Sequence, residues 1–331
     1  MKGVSLILLS LCVLAGLSLL SMGVGRYPVS PSALLAWVTT GSGVDDNVPL
    51  VLLNIRLPRL VAAIAAGGGL ALSGAAYQGL FRNPMVSPDI LGVSSGSGFG
   101  AALGILLSLP IAAVQLMSFT GGITAVFVAV AVSRSIGRSR DSVLVLVLSG
   151  IVVSSLFGAL LSMLKYVADP LDKLPAITFW LMGSLADIRT GDLERVLPMV
   201  VAGTVPLMLV SWRLNVLSFG EEDARSLGLD TGTMRMVVVV CATMVTASVI
   251  SVCGIIGWIG LVVPHISRFV AGPNHRMLLP VSFLFGAAFL LAVDTLARSA
   301  APVEIPIGIV TSVVGAPFFI WIMKKSSVRS W

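Results

Sequence analysis

The sequence predicts an all-α, polytopic membrane protein with about ten transmembrane helices, on three observations. The 331 residues are 56% hydrophobic and only 11% charged, with a mean hydropathy of +1.03. Apolar runs of about 20 residues recur along the chain, each long enough to cross a hydrocarbon core about 30 Å thick. The alternating pattern of a membrane β-barrel is absent, which leaves helices to satisfy the backbone in lipid. The whole chain, 1–331, reads as one transmembrane domain.

The expected spans are 4–24, 57–80, 89–109, 113–133, 142–164, 193–212, 235–254, 256–271, 277–297 and 306–323. The first follows a start that looks like a secretory signal. Leu11 before Cys12 is a poor lipoprotein site and many spans follow, so an uncleaved helix is expected. The second carries Gly67, Ala71, Ala75 and Gly79 every fourth residue, and the third carries Gly92, Gly96, Gly100 and Gly104. Small residues at this spacing let helices approach closely within a membrane. "GSGFGA" in the third span matches a dinucleotide fingerprint, but no strand precedes it. Between the second and third spans, "RNPMVSPDILG" predicts a turn at Asn83-Pro84, with Ser87 as N-cap and Pro88 as the first helical residue. The stretch 235–271 is split in two because "GIIGWIG" and Pro264 favour a turn over one very long helix. "EIPIG" around Glu304 fits the start of the last span, and Pro317 a kink within it.

Charge supplies orientation. With both termini inside, thirteen of the 21 lysines and arginines fall on the cytoplasmic side, as the positive-inside rule favours. The net charge of +6 is scattered over short loops rather than gathered on one patch, so no nucleic-acid partner is expected. Cys12, Cys241 and Cys253 form no CxxC pair and read as packing residues. His265 has no second histidine at ligand spacing, so no metal site is expected there. His275 falls in a cytoplasmic loop, where solvation or a partner contact are both open.

One stretch breaks the apolar pattern: "LSFGEEDARSLGLD", residues 217–230. Ser218 and Glu221 have the spacing of a capping box, and Glu221, Glu222 and Asp223 put negative charge in a first helical turn. Gly228 suits a C-terminal cap, and "DTGTM" starts another helix. A short charged helix between spans is either a solvated connection or a docking element for a soluble partner. The second reading fits the energetics. None of the five lysines follows a glycine, so the chain has no phosphate-binding loop of the G-K type. An ion-coupled carrier, the alternative from another class, usually keeps ionisable residues inside the membrane, and the spans carry almost none away from their ends. Nor do the spans offer a polar catalytic cluster, so the chain is not read as an enzyme.

Four segments taken together resemble permeases of the type II ABC importers for iron chelates, haem and vitamin B12: 54–96, the charged stretch, "GWIGLVVPHISRFVAGPNHRMLLPVS" (257–282) and "DTLARSAAPVEIPIGIVTSVVGAPFFIWIM" (294–323). The resemblance runs from about residue 25 to the C-terminus. It implies a second permease copy in a homodimer (in some members a heterodimer of similar permeases), two cytoplasmic ATP-binding subunits that hold ATP and magnesium, and a substrate-binding protein outside. This chain would carry no cofactor of its own and would lie in the inner membrane. The charged stretch, within 214–234, matches the family's coupling helix, with Glu221, Glu222, Arg225 and Leu227 as ATPase contacts and Gly228 as the turn. Arg56, Arg59 and Arg298 match arginines that dock the binding protein, although cations at span ends also serve as interfacial anchors. Asn83, Met85, Ser142 and Val143 match the cytoplasmic gate, where plain helix starts are the alternative; Val143 departs from the small polar residue of some members. "RNPMVSPDILGV" looks most like ferric-siderophore permeases, with haem or cobalamin next and molybdate in an outlying branch.

Overall fold

The structure is a computed structural model that describes residues 2–25, 27, 29–40, 45, 47–136 and 142–326. Its helices are α1 (Lys2–Gly23), α2 (Pro31–Thr40), α3 (Asn47–Val51), α4 (Leu57–Leu80), α5 (Val93–Leu106), α6 (Ile111–Ile136), α7 (Ser142–Val167) and α8 (Lys173–Met182), then α9 (Thr190–Leu209), α10 (Ser211–Leu217), α11 (Glu221–Ser226), α12 (Thr231–Cys253), α13 (Ile259–Ala271), α14 (His275–Ser299) and α15 (Ile307–Ser326). A π turn over Leu52–Arg56 joins α3 to α4, and a 3-10 turn over Pro88–Leu91 precedes α5.

Helices stand at all ten expected spans, though not all are full-length. Among the described residues six helical stretches are long and apolar enough to cross a membrane, α9 and α10 make a seventh if that pair, bent by 54°, is one span, and three shorter apolar helices, α5, α13 and α15, stand at the remaining positions. The break inside 235–271 falls among the glycines, where Gly254 turns at φ +69 and α13 starts at Ile259. The third span begins later than residue 89. Ser87 makes no side-chain cap, and the 3-10 turn ends at Gly92 with φ +86, a conformation that glycine reaches without a Cβ penalty. Three helices were not expected: α2, α3 and α8.

Helix α4 is the axis of the bundle, buried along nearly its whole length from Pro58 to Leu80. Its small residues explain the fit. A side chain at Gly67 would meet the Gly286 carbonyl of α14, and one at Gly79 would meet the His275 ring. In α5, Gly96 and Gly100 lie against the backbone of Gly121 and Met117 in α6. "GSGFGA" is therefore a helix-packing surface, and Gly92 stands outside that helix. Helix α12 is also central, packed on α4, α5, α6 and α9. Cys241 and Cys253 are buried, while Cys12 is exposed on α1 rather than packed inside. His275 does not sit in a solvated loop. It is buried at the start of α14, where its ring Nδ1 lies 2.9 Å from Asn215 Oδ1 and its backbone N–H donates to the same oxygen at 2.8 Å.

At the end of the bundle opposite α11, three chain segments lock through their backbones. Ser184 N–H donates to the Cys253 carbonyl at 2.9 Å, and Ile307 N–H donates to the Gly183 carbonyl at 3.0 Å. Gly254 and Gly308 allow this approach, since a side chain at either would strike the carbonyl of Trp180 or Met182.

Candidate functional sites at the two ends of the bundle

The expected capping box at Ser218 does not form. The Ser218 hydroxyl donates to the Asn215 carbonyl at 2.6 Å instead. Gly220, at φ +125, is the N-cap of α11, which makes Glu221 the first helical residue rather than the third. The C-terminal expectation holds. Gly228 has φ +80, its N–H donates to the Arg225 carbonyl at 2.9 Å, and Leu229 N–H reaches the Ala224 carbonyl at 2.9 Å. That pair of bonds is a Schellman motif. Asp230 then caps α12, accepting from the N–H groups of Gly232 and Thr233 at 3.0 and 3.1 Å and from the Thr233 hydroxyl at 2.6 Å. These bonds hold its carboxyl below the usual range.

Within α11, buried Ala224 anchors the helix while Glu222, Asp223 and Arg225 are exposed. Phe219 and Leu227 are 71% and 69% exposed at its two flanks. Glu221 points elsewhere. Its carboxylate is half-buried, pairs with Arg235 of α12 and lies 3.6 Å from Arg225. Arg225 also donates to the Thr231 hydroxyl at 3.1 Å.

The residues matched to a gate lie beside this helix. The Asn83 side chain accepts from Met85 N–H at 2.9 Å, which tightens the turn after α4 and leaves Met85 exposed. A cavity of about 590 Å³ is lined by Arg82, Asn83, Val143, Phe219, Glu221 and Glu222, among others. The fold thus brings Asn83, Val143, Glu221 and Glu222 to one place. Met85, Arg225, Leu227 and Gly228 do not line that cavity. Ser142 opens α7, and its side chain lies outside the described residues.

At the opposite end, Arg56, Arg59 and Arg298 are buried in this chain rather than free surface cations; none is more than 7% exposed. Arg59 Nε donates to both oxygens of Asp294 at 2.8 and 3.0 Å, and its Nη1 donates to both oxygens of Glu304 at 3.0 Å. Arg298 donates to the Ser21 hydroxyl at 2.7 Å and sits 3.7 Å from Asp294. Arg56 donates to the carbonyls of Met22 and Tyr27. The physical reason is local: the end of α1 offers bare carbonyls, and Asp294 stands one turn before Arg298 on α14. A buried charge is tolerated only when its partners compensate for lost water.

Beside this corner lies a cavity of about 840 Å³, walled by α8, the start of α9 and Glu304. A polar chain crosses it: Gln115 Nε2 donates to Asp192 at 2.9 Å, and Arg195 donates to Gln115 Oε1 at 2.9 Å. Sequence reasoning passed over this cluster, although an isolated glutamine in an apolar span was a usable signal.

A family model decides between the sequence readings: the FecCD transport family matches residues 11–325. The chain belongs to the FecCD transport family. It is 40% identical to the molybdate import permease MolB of Haemophilus influenzae over 93% of this chain and 94% of that one. It is 43% identical to the cobalamin import permease BtuC of Halobacterium salinarum over 87% of this chain and 77% of that one. Among solved structures, it resembles a transporter assigned to the metal-chelate ABC type in an inward-facing conformation, with a TM-score of 0.88, 37% identity and coverage of 97% and 99%. This FecCD member is a multi-pass permease of an ABC importer and not a catalytic subunit. Its all-helical architecture, with six or seven clear spans among the described residues and shorter apolar helices beside them, matches that solved relative.

Proposed function

We propose that this permease imports a ferric siderophore across the inner membrane, with both termini cytoplasmic, as a homodimer served by two ATPase subunits and an outer binding protein. ATP and magnesium belong to the ATPase subunits. One observation carries the mechanism: gate residues Asn83 and Val143 share a cavity with Glu221 and Glu222 of α11. A partner pressing on the exposed face of α11, through Glu222, Arg225 and Leu227, therefore moves a helix that lines the same cavity as the gate. Access alternates as the ATPase subunits bind and hydrolyse ATP.

The arginine corner is the docking face for the binding protein. Glu304 is the exchangeable partner there, because its side chain is 28% exposed while Asp294 is sealed. A carboxylate on the binding protein takes the place of Glu304 on Arg59. Cargo identity rests on "RNPMVSPDILGV" and on the metal-chelate type of the solved relative. A second reading, molybdate or cobalamin cargo, is favoured by the two relatives named for those substrates; haem is a further chelate alternative.

Radiolabelled uptake tests both. Iron-starved cells with and without the gene are offered citrate, catecholate and hydroxamate chelates of iron-55, with haem, cobalamin and molybdate in parallel. Loss of one ferric chelate alone supports the proposal. Loss of molybdate or cobalamin alone moves the cargo and leaves the architecture standing.

A further inference from the structure

Two glycines with positive φ flank α11: Gly220 at +125 and Gly228 at +80, the latter with open space around it. The helix between them is only six residues long, and beyond buried Ala224 its attachment rests on side-chain bonds of Glu221 and Arg225. Force applied to so short a strut is lost unless the strut is braced. The connection at its C-terminal end is firm, because the Schellman motif and the Asp230 cap follow one another directly. At the N-terminal end the bond that reaches the bundle is the ion pair from Glu221 to Arg235, which stands on α12.

We propose that Arg235 is a positioning residue for transport. It braces α11 against α12 through Glu221, so that displacement of α11 becomes displacement of α12 rather than a local pivot. This rests on the reading of α11 as the ATPase-docking helix. Helix α12 is suited to the task, since it packs on α4, α5, α6 and α9. The pair is half-buried on both sides, which strengthens it relative to an open surface contact. Among the described residues Arg235 has a buried Nε without an acceptor, and Glu221 is the carboxylate paired with it. Glu221 is therefore turned to the bundle, and docking falls to Glu222, Arg225 and Leu227.

The test uses the full transporter in liposomes, with co-purified ATPase subunits, ATP hydrolysis and cargo uptake measured together. Arg235→Gln is expected to retain the ATPase subunits and hydrolyse ATP, while cargo moved per ATP falls about tenfold, the scale of losing one charge-assisted hydrogen bond. The conservative Arg235→Lys, which keeps the charge opposite Glu221, is expected to restore much of that ratio. A wild-type ratio in Arg235→Gln overturns the brace. So does an Arg235→Lys variant that assembles normally but is as uncoupled as Arg235→Gln, and that variant also decides the matter if Arg235→Gln fails to fold. The docking reading fails separately: Glu222→Ala with Leu227→Ala would then retain the ATPase subunits in full.

Discussion

The two charged ends of this bundle obey opposite rules. At the arginine corner every guanidinium is buried and engaged by carboxylates, carbonyls or a serine hydroxyl. At α11 most charges face outward, and the helix is held to the bundle by buried Ala224, the half-buried Glu221–Arg235 pair and the Arg225–Thr231 hydrogen bond. Charge taken out of water must be compensated within the fold, so it becomes structure. Charge left in water costs little and is free to meet a partner.

The sharpest way to break this contrast is Arg59→Ala. It removes the hydrogen-bonded partner of buried Asp294, which keeps the looser 3.7 Å contact to Arg298, and should cost about 3–5 kcal/mol, the usual penalty for removing one partner of a buried pair. A melt in detergent should show a large fall in Tm; an unchanged Tm would mean the corner is not structural. Next comes the triple replacement of Glu222, Arg225 and Leu227 by alanine. Stability should stay within about 0.5 kcal/mol, as for exposed positions generally, while uptake and ATPase co-purification are lost. Normal uptake would remove α11 from the docking role.

A smaller effect sharpens the comparison from the other side. Glu304→Gln frees Arg59 from a competitor, so the binding protein should bind a few-fold tighter, about 0.5–1 kcal/mol for a partly exposed pair. Titration of the purified pair in nanodiscs would read this directly, and weaker binding would reverse the proposed exchange. The smallest effect concerns Asp230. Its folded pKa is depressed by the Thr233 and Gly232 bonds. Its capping contribution is therefore complete above the ordinary carboxylate pKa and disappears as pH falls through the depressed value. Amide exchange in the first turn of α12 should accelerate over that acid range, and Asp230→Ala should abolish the pH dependence.

The long spans were legible because lipid imposes one rule on about 20 residues at a time. The glycine stripes at 67–79 and 96–104 named their own contact faces, and the break after Cys253 followed from its glycines. Short elements were not legible. Helix α8 is ten residues long, too short for a span, and it forms because α5 and α15 lie beside it. The capping box at Ser218 failed because Gly220, two residues later, offered a competing start. Arg59 could be placed at a span end, yet its partner Asp294 lies 235 residues away, and only the fold shows that the charge is spent inside. Arg235 entered the sequence reading as one cation among thirteen.

The backbone lock at Gly183, Gly254 and Gly308 has a mechanical consequence for the large cavity at that end. Helix α8 forms one wall of the cavity, and the lock rivets its end to the α12–α13 break and to the head of α15. No one of the three can swing outward without dragging the others. Any opening of the mouth at this wall has to carry the three segments together or break these bonds, and a methyl group at Gly254 or Gly308 would act as a wedge driven into the joint.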